Sequence, residues 1–126
     1  MPAVARMGGT DTVACTDGAQ GSGCAFNKSG AYAWHWDTPT TQSTNAGSPN
    51  VLINGVGAVR QGDTMVSHPD GVPCVSSPVN HAPALSTYSS NVFVNGKALG
   101  RVGDKYDSDG DMDHTISSGS SNVFAN

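Results

Sequence analysis

The segment Ser120-Ser121-Asn122-Val123-Phe124-Ala125-Asn126 reads as one β-strand followed by a turn residue, with no partner strand after it. Two internal segments start the same way and continue. "SPNVLINGVGAVRQGD" (48–63) aligns without a gap on "SSNVFVNGKALGRVGD" (89–104), so that Asn50, Val51, Asn54, Gly55, Arg60, Gly62 and Asp63 share slots with Asn91, Val92, Asn95, Gly96, Arg101, Gly103 and Asp104. Each copy is two short apolar strands around Asn-Gly, the strongest short-range signal for a two-residue type I′ hairpin. That register sets Ile53 against Val56, Val51 against Ala58, Val94 against Lys97 and Val92 against Leu99. The opening "MPAVARMGG" matches the second half of the template, with Arg6 in the slot of Arg60 and Arg101 and Met1 in that of Gly55 and Gly96. Asn126 takes the slot of Asn54 and Asn95. The two ends are therefore expected to be the halves of a third hairpin. Three hairpins joined in this way make a ring with pseudo-threefold symmetry.

Composition sets the class. Of 126 residues, 37% are apolar and 13% charged, with Gly and small polar residues dominating the remainder, which disfavours helix interiors. No sustained period of 3.6 appears, so an all-β chain with almost no helix is expected, as a single domain over 1–126. A net charge of −4 with only six Lys and Arg excludes the basic surface that nucleic acid or an anionic membrane requires. The N-terminus has neither a basic n-region nor an apolar h-region, and no apolar run has the length of a membrane span. Synthesis in the cytoplasm without a signal peptide is expected, with any route outward as cargo or as part of a particle. Three cysteines give no complete disulfide framework. Cys15 and Cys24 would pair only in an oxidising medium, so reduced thiols are the expected state.

Three unequal loops, 7–49, 61–90 and 102–121, separate the hairpins and have little apolar content. Loops of this length in a compact domain are functional or anchored. All Cys and His residues lie in them: Cys15, Cys24, His35, His68, Cys74, His81 and His114. In a three-unit ring the loops would converge at one end and bring neutral imidazoles together. A closed tetrahedral Zn²⁺ site organises loops that lack a core. Spacing alone leaves this reading level with histidines scattered over the surface. Trp34 and Trp36 flank His35, so one ring is placed to cover a metal loop while the other packs below. The run "DKYDSDGDMD" lacks the Glu that a Ca²⁺ loop needs and reads as a solvated acidic turn. Asp63 and Asp104 are expected to cap turns, and Arg6, Arg60 and Arg101 to pair with the Asp of a neighbouring unit. No G-x-S-x-G elbow anchors a hydrolase triad.

With two full NVxxNG…R…GD units and a third of the same template split between the opening "MPAVAR" and the closing "GSSNVF", the chain resembles the PAAR-repeat proteins along nearly its whole length. Only an insertion over roughly 15–32 has no counterpart. The resemblance implies a conical all-β domain of three hairpin repeats, its loops converging on a metal-bound apex. Such domains cap the trimeric β-helical spike of contractile injection machines, namely phage tails and type VI secretion systems. In the family a zinc ion, usually held by three His and one Cys, organises the tip. Carried over by position, the ligands are His35, His68 and His81, and His114 stands where the family has its last ligand, a Cys. Cys74 is the first alternate ligand and Cys24 the next. The implied function is a non-enzymatic spike tip that sharpens the machine for membrane penetration. It would be one monomer on a threefold partner, VgrG-like or a phage central spike, touching a target membrane transiently, with no nucleic acid. A type VI adaptor that docks effectors is the alternative, and a zinc hydrolase a remote third. The implied location is a virion tail or an assembled secretion machine.

Overall fold

The computed structural model describes residues 1–17, 40–69, 80–109 and 112–126. Among these residues there is no helix. The first internal hairpin joins β3 (Leu52–Ile53) to β4 (Val56–Gly57), and the second joins β7 (Phe93–Val94) to β8 (Lys97–Ala98). Ile53 pairs with Val56 and Val94 with Lys97, the register expected from the Asn-Gly turns. Asn54 and Asn95 have φ of 55° and 54°, and Gly55 and Gly96 follow at 82° and 77°. Two successive positive φ values are what a type I′ turn requires, and Asn-Gly supplies them at least steric cost.

The third hairpin is built from the two ends of the chain. Ala3 bridges Phe124, Val4 N–H donates to Val123 C=O at 3.0 Å, and Ala125 N–H donates to Pro2 C=O at 3.0 Å. These are the slots of the Leu52–Gly57 and Phe93–Ala98 pairs. Each hairpin then bridges the next through one repeated slot pair: Arg6 with Ala58, Arg60 with Leu99, and Arg101 with Val4. One residue further inward the ring closes on itself. Ala5 N–H donates to Gly100 C=O (3.1 Å), Gly100 N–H to Val59 C=O (2.8 Å), and Val59 N–H to Ala5 C=O (3.0 Å).

Side chains tie the seams. The hydroxyls of Ser48, Ser89 and Ser120 accept from the N–H groups two and three residues on, a local side-chain-to-backbone motif repeated in each unit. Ser48 also donates to Asn95 Oδ1, and Ser120 to Asn54 Oδ1, each at 2.6 Å, linking a unit to its neighbour's turn. The arginines depart from expectation. Arg60 and Arg101 form two-pronged pairs within their own units, with Asp63 and Asp104, not with a neighbour's Asp. The same Asp accepts the Arg backbone N–H at 2.8 Å, so a three-residue turn fixes both bonds locally. The reach to the next unit is instead from Arg to Asn: Arg60 to Asn95 Oδ1 at 3.0 Å and Arg6 to Asn54 Oδ1 at 3.5 Å. In the third unit Gly9 stands in the slot of the Asp, and Asp11 replaces it, bonding the side chain and the backbone N–H of Arg6.

Two apolar layers stack along this ring. Val4, Ala58, Val94, Leu99 and Ala125 form the hairpin layer. Ala5, Val13, Cys15, Val59, Met65, Leu85, Tyr106 and Ile116 form the second layer, under the loops. The loops are more regular than their composition suggests. β1 (Thr12–Asp17), β2 (Thr40–Ser43), β9 (Lys105–Asp109) and β10 (Met112–Ile116) make one antiparallel sheet in the order β2-β1-β10-β9. The second loop forms a ribbon of β5 (His68–Pro69) and β6 (Asn80–His81). Cross-strand pairing satisfies backbone groups that an irregular loop would leave to water.

The axial triangle is sterically graded, with Ala, Val and Gly at its corners. A Cβ on Gly100 would lie 2.8 Å from Leu85 Cδ2 and 3.2 Å from Val59 Cγ1. Gly100→Val is therefore expected to destabilise the fold by about 1–3 kcal/mol through overpacking. Denaturant unfolding measures this, and a Val59→Ala change made alongside should recover part of the loss.

Candidate metal centre

The strand register explains how the site is assembled. In β1 and β10, Val13 pairs with Ile116 and Cys15 with His114. Residues directly opposite in an antiparallel pair project from the same face. Val13, Cys15, His114 and Ile116 are all buried, so this inner face runs from the apolar layer up to a thiol and an imidazole. Tyr106 of β9 pairs with His114 from the other side and is also buried. In the β5–β6 ribbon His68 lies directly across from His81.

These elements bring three imidazoles together. His68 Nε2 is 3.0 Å from His114 Nε2 and 3.0 Å from His81 Nε2. The rings are tilted or edge-on, with centroids 4.4–5.3 Å apart. His68 Nδ1 lies 2.9 Å from Val66 C=O and His114 Nδ1 3.0 Å from Asp107 C=O. A carbonyl only accepts, so Nδ1 carries the proton in both rings and, in the neutral imidazole, Nε2 bears the lone pair. Two lone pairs facing each other at 3.0 Å repel unless a cation lies between them. Backbone carbonyls that fix the tautomer in this way are the usual second shell of a metal-bound histidine. Two nitrogens on one tetrahedral Zn²⁺ lie roughly 3.3 Å apart, given bonds of about 2.0–2.1 Å. The donor set fits a metal ion.

Cys15 belongs to the same cluster. Its Sγ and the ligand nitrogens of His68 and His114 all lie within 4.8 Å of one another, and all three residues are buried. It is a free thiol whose hydrogen-bond contact is a long one, 3.9 Å to Val13 C=O. Burial pushes its pKa up to about 12, so in the absence of a metal it is the neutral thiol. Sequence reasoning treated Cys15 only as a partner for Cys24. The signal that finds it is the register with His114, which follows once β1 and β10 are paired. Of the ligands expected from the sequence, His68, His81 and His114 meet. His35, Cys74 and Cys24 lie outside the described residues, as do Trp34 and Trp36.

A family model for the PAAR motif matches residues 35–112, more than half of the chain. The chain belongs to the PAAR-motif family. This places it among the spike-tip and adaptor proteins of contractile injection machines, which associate with VgrG-like spikes in phage tails or type VI secretion systems. The family is structural or adaptor in character. No curated protein matches the chain as a relative. The match takes in the two internal hairpins and leaves out Cys15, His114 and the hairpin made by the chain ends, which the structure supplies. No helix among the described residues is long and apolar enough to cross a membrane.

In the metal-free PAAR domain, burial, and then the neighbouring His68 and His81, push His114 from its ordinary 6.5 down to about 4. Between those values the unfolded chain binds a proton that the folded chain does not. Stability is therefore full above the unfolded value and falls as pH drops through that window, by at most about 3 kcal/mol. Urea unfolding of chelator-treated protein at about pH 8 and about pH 4.5 tests this, with the lower midpoint expected at the lower pH.

Proposed function

We propose that this chain is the tip of a contractile machine's spike, a single domain over 1–126 that caps a trimeric β-helical spike protein. The observation that carries this reading is the outer surface of the hairpin layer. Leu52, Phe93 and Phe124 occupy the same slot of the three hairpins, and they are 55%, 60% and 49% exposed. A monomer has no internal use for three large apolar side chains arranged by threefold symmetry in water. A threefold partner would cover all three at once and give a lasting, apolar-centred interface. The hairpin strands around them are only two residues long, so a partner's strands can extend their backbone ladders.

The opposite role falls to the loops. Their apolar content is low, and a metal at His68, His81 and His114 would lock the β5–β6 ribbon to the four-stranded sheet at a narrow apex. Zinc suits a closed, buried site of imidazoles with a thiol nearby, and its part here is structural. The first loop is left to supply a fourth donor, for which sequence position points to His35. The work is mechanical: the apex leads through the target membrane and the base holds the spike.

Purified protein should carry about one zinc per chain. His68→Ala should lose it, with the thermal midpoint falling to that of chelated wild type. A chain that never holds metal would remove the apex reading. The base is tested separately, by co-purification with the trimeric spike of the same machine. The Leu52→Ser, Phe93→Ser, Phe124→Ser triple variant should keep its fold and metal yet lose the spike, and retained binding would refute the capping surface.

A further inference from the structure

We infer that the stem of the first internal hairpin is closed by a bound water, held between the Thr64 N–H and Asp63 Oδ1 at the place where the other two stems use a side-chain hydroxyl. The inference concerns the ring alone and stands apart from both the spike and the metal.

Two stems show the complete arrangement. Thr87, which lies two residues before Ser89, accepts the Lys105 N–H on its Oγ1 at 2.7 Å and donates to Asp104 Oδ1 at 3.4 Å. Ser118, which lies two residues before Ser120, accepts the Thr12 N–H on its Oγ at 2.9 Å and donates to Asp11 Oδ1 at 3.1 Å. Each hydroxyl joins the segment that enters a hairpin to the Asp that follows the same hairpin, and to the next N–H along. A hydroxyl suits this place because it donates and accepts at once.

The same slot before Ser48 is Ala46, whose side chain carries no hydroxyl. The backbone is arranged alike all the same. Ala46 N–H donates to Thr64 C=O at 2.9 Å, as Thr87 N–H does to Lys105 C=O at 3.1 Å. Among the described residues the Thr64 N–H meets no acceptor, and Asp63 Oδ1 accepts from Arg60 Nη2 alone, at 3.1 Å. Asp11 Oδ1 and Asp104 Oδ1 each take an Arg Nη2 and the hydroxyl as well. One donor and one acceptor that meet a single oxygen in the other stems are therefore left together here.

Their chemistry selects the occupant. Asp63 is buried, and leaving its lone pair and a neighbouring N–H without partners is costly. The N–H disfavours a cation, and the carboxylate is already neutralised by its two-pronged pair with Arg60. The carboxylate excludes an anion. Water supplies one lone pair to Thr64 and one proton to Asp63, and the half-buried Ala46 and Thr64 leave it a side open to solvent.

Crystal structures of the full chain and of its Ala46→Ser variant test this, with melting and amide exchange alongside. An ordered water is expected within hydrogen-bond distance of Thr64 N and Asp63 Oδ1, and in Ala46→Ser the new hydroxyl in its place. The thermal midpoint should rise by about 2–5 °C. The Thr64 amide should exchange roughly tenfold more slowly in the variant. The reverse change, Thr87→Ala, should admit a water between the Lys105 N–H and Asp104 Oδ1 and lower the midpoint, and it carries the test if Ala46→Ser does not fold. A wild-type stem without the water overturns the inference. So does a water that stays in Ala46→Ser, or a midpoint and exchange rate that the variant leaves unmoved.

Discussion

The hydrogen bonds among Ala5, Gly100 and Val59 are the constraint on which the rest of the molecule depends. Each residue comes from a different hairpin, and each donates to one neighbour and accepts from the other. Three short hairpins cannot stand alone, because a two-stranded ribbon buries too little apolar surface to offset the ordering of its backbone. The triangle makes each hairpin's inner strand the partner of the next. The apolar side chains on either side of it then form two stacked layers. Three chains meet on one axis there, and at the Gly100 corner an added Cβ would lie only 2.8 Å from Leu85 Cδ2.

This ring has two faces with opposite chemistry. On the hairpin side the strands are too short to hide their outward residues, and Leu52, Phe93 and Phe124 are left in solvent by symmetry. On the loop side the polypeptide adds other means of cohesion to the second apolar layer. These are a four-stranded sheet, the two-residue ribbon that bears His68 and His81, and a cluster of nitrogen and sulfur donors. The local Arg–Asp pairs stiffen the turns where each hairpin gives way to its loop. Each pair joins an Asp that is nearly buried to an Arg that still meets water, an arrangement that limits the cost of desolvating the guanidinium.

Much of the architecture was legible because its signals are local. Asn-Gly between alternating apolar residues fixes both turn type and register, and both hairpins follow it residue for residue. The third hairpin could be read because the template transfers to the chain ends without a gap. Of the four histidines that the resemblance implied as ligands, His68, His81 and His114 converge, and His35 lies outside the described residues. What failed was the assignment of partners. The arginines were expected to reach a neighbouring unit's Asp, but an Asp three residues on is already within the same turn. Asp11 was not picked out, because the third unit puts Gly9 in the slot that the repeat gives to Asp.

The sequence by itself determined the ring, since turn chemistry and a repeated template act over a few residues and need no knowledge of what lies across the fold. Only the tertiary structure decided which side chains share the apex. Cys15 stands 99 positions from His114 in the chain, and nothing in the first loop marks it as that residue's neighbour. Their meeting depends on the pairing of β1 with β10, set by long-range backbone hydrogen bonds and by the burial of Val13 and Ile116 on one face. A shift of one residue in that ladder would turn Cys15 outward and put Ala14 or Thr16 beside the imidazoles.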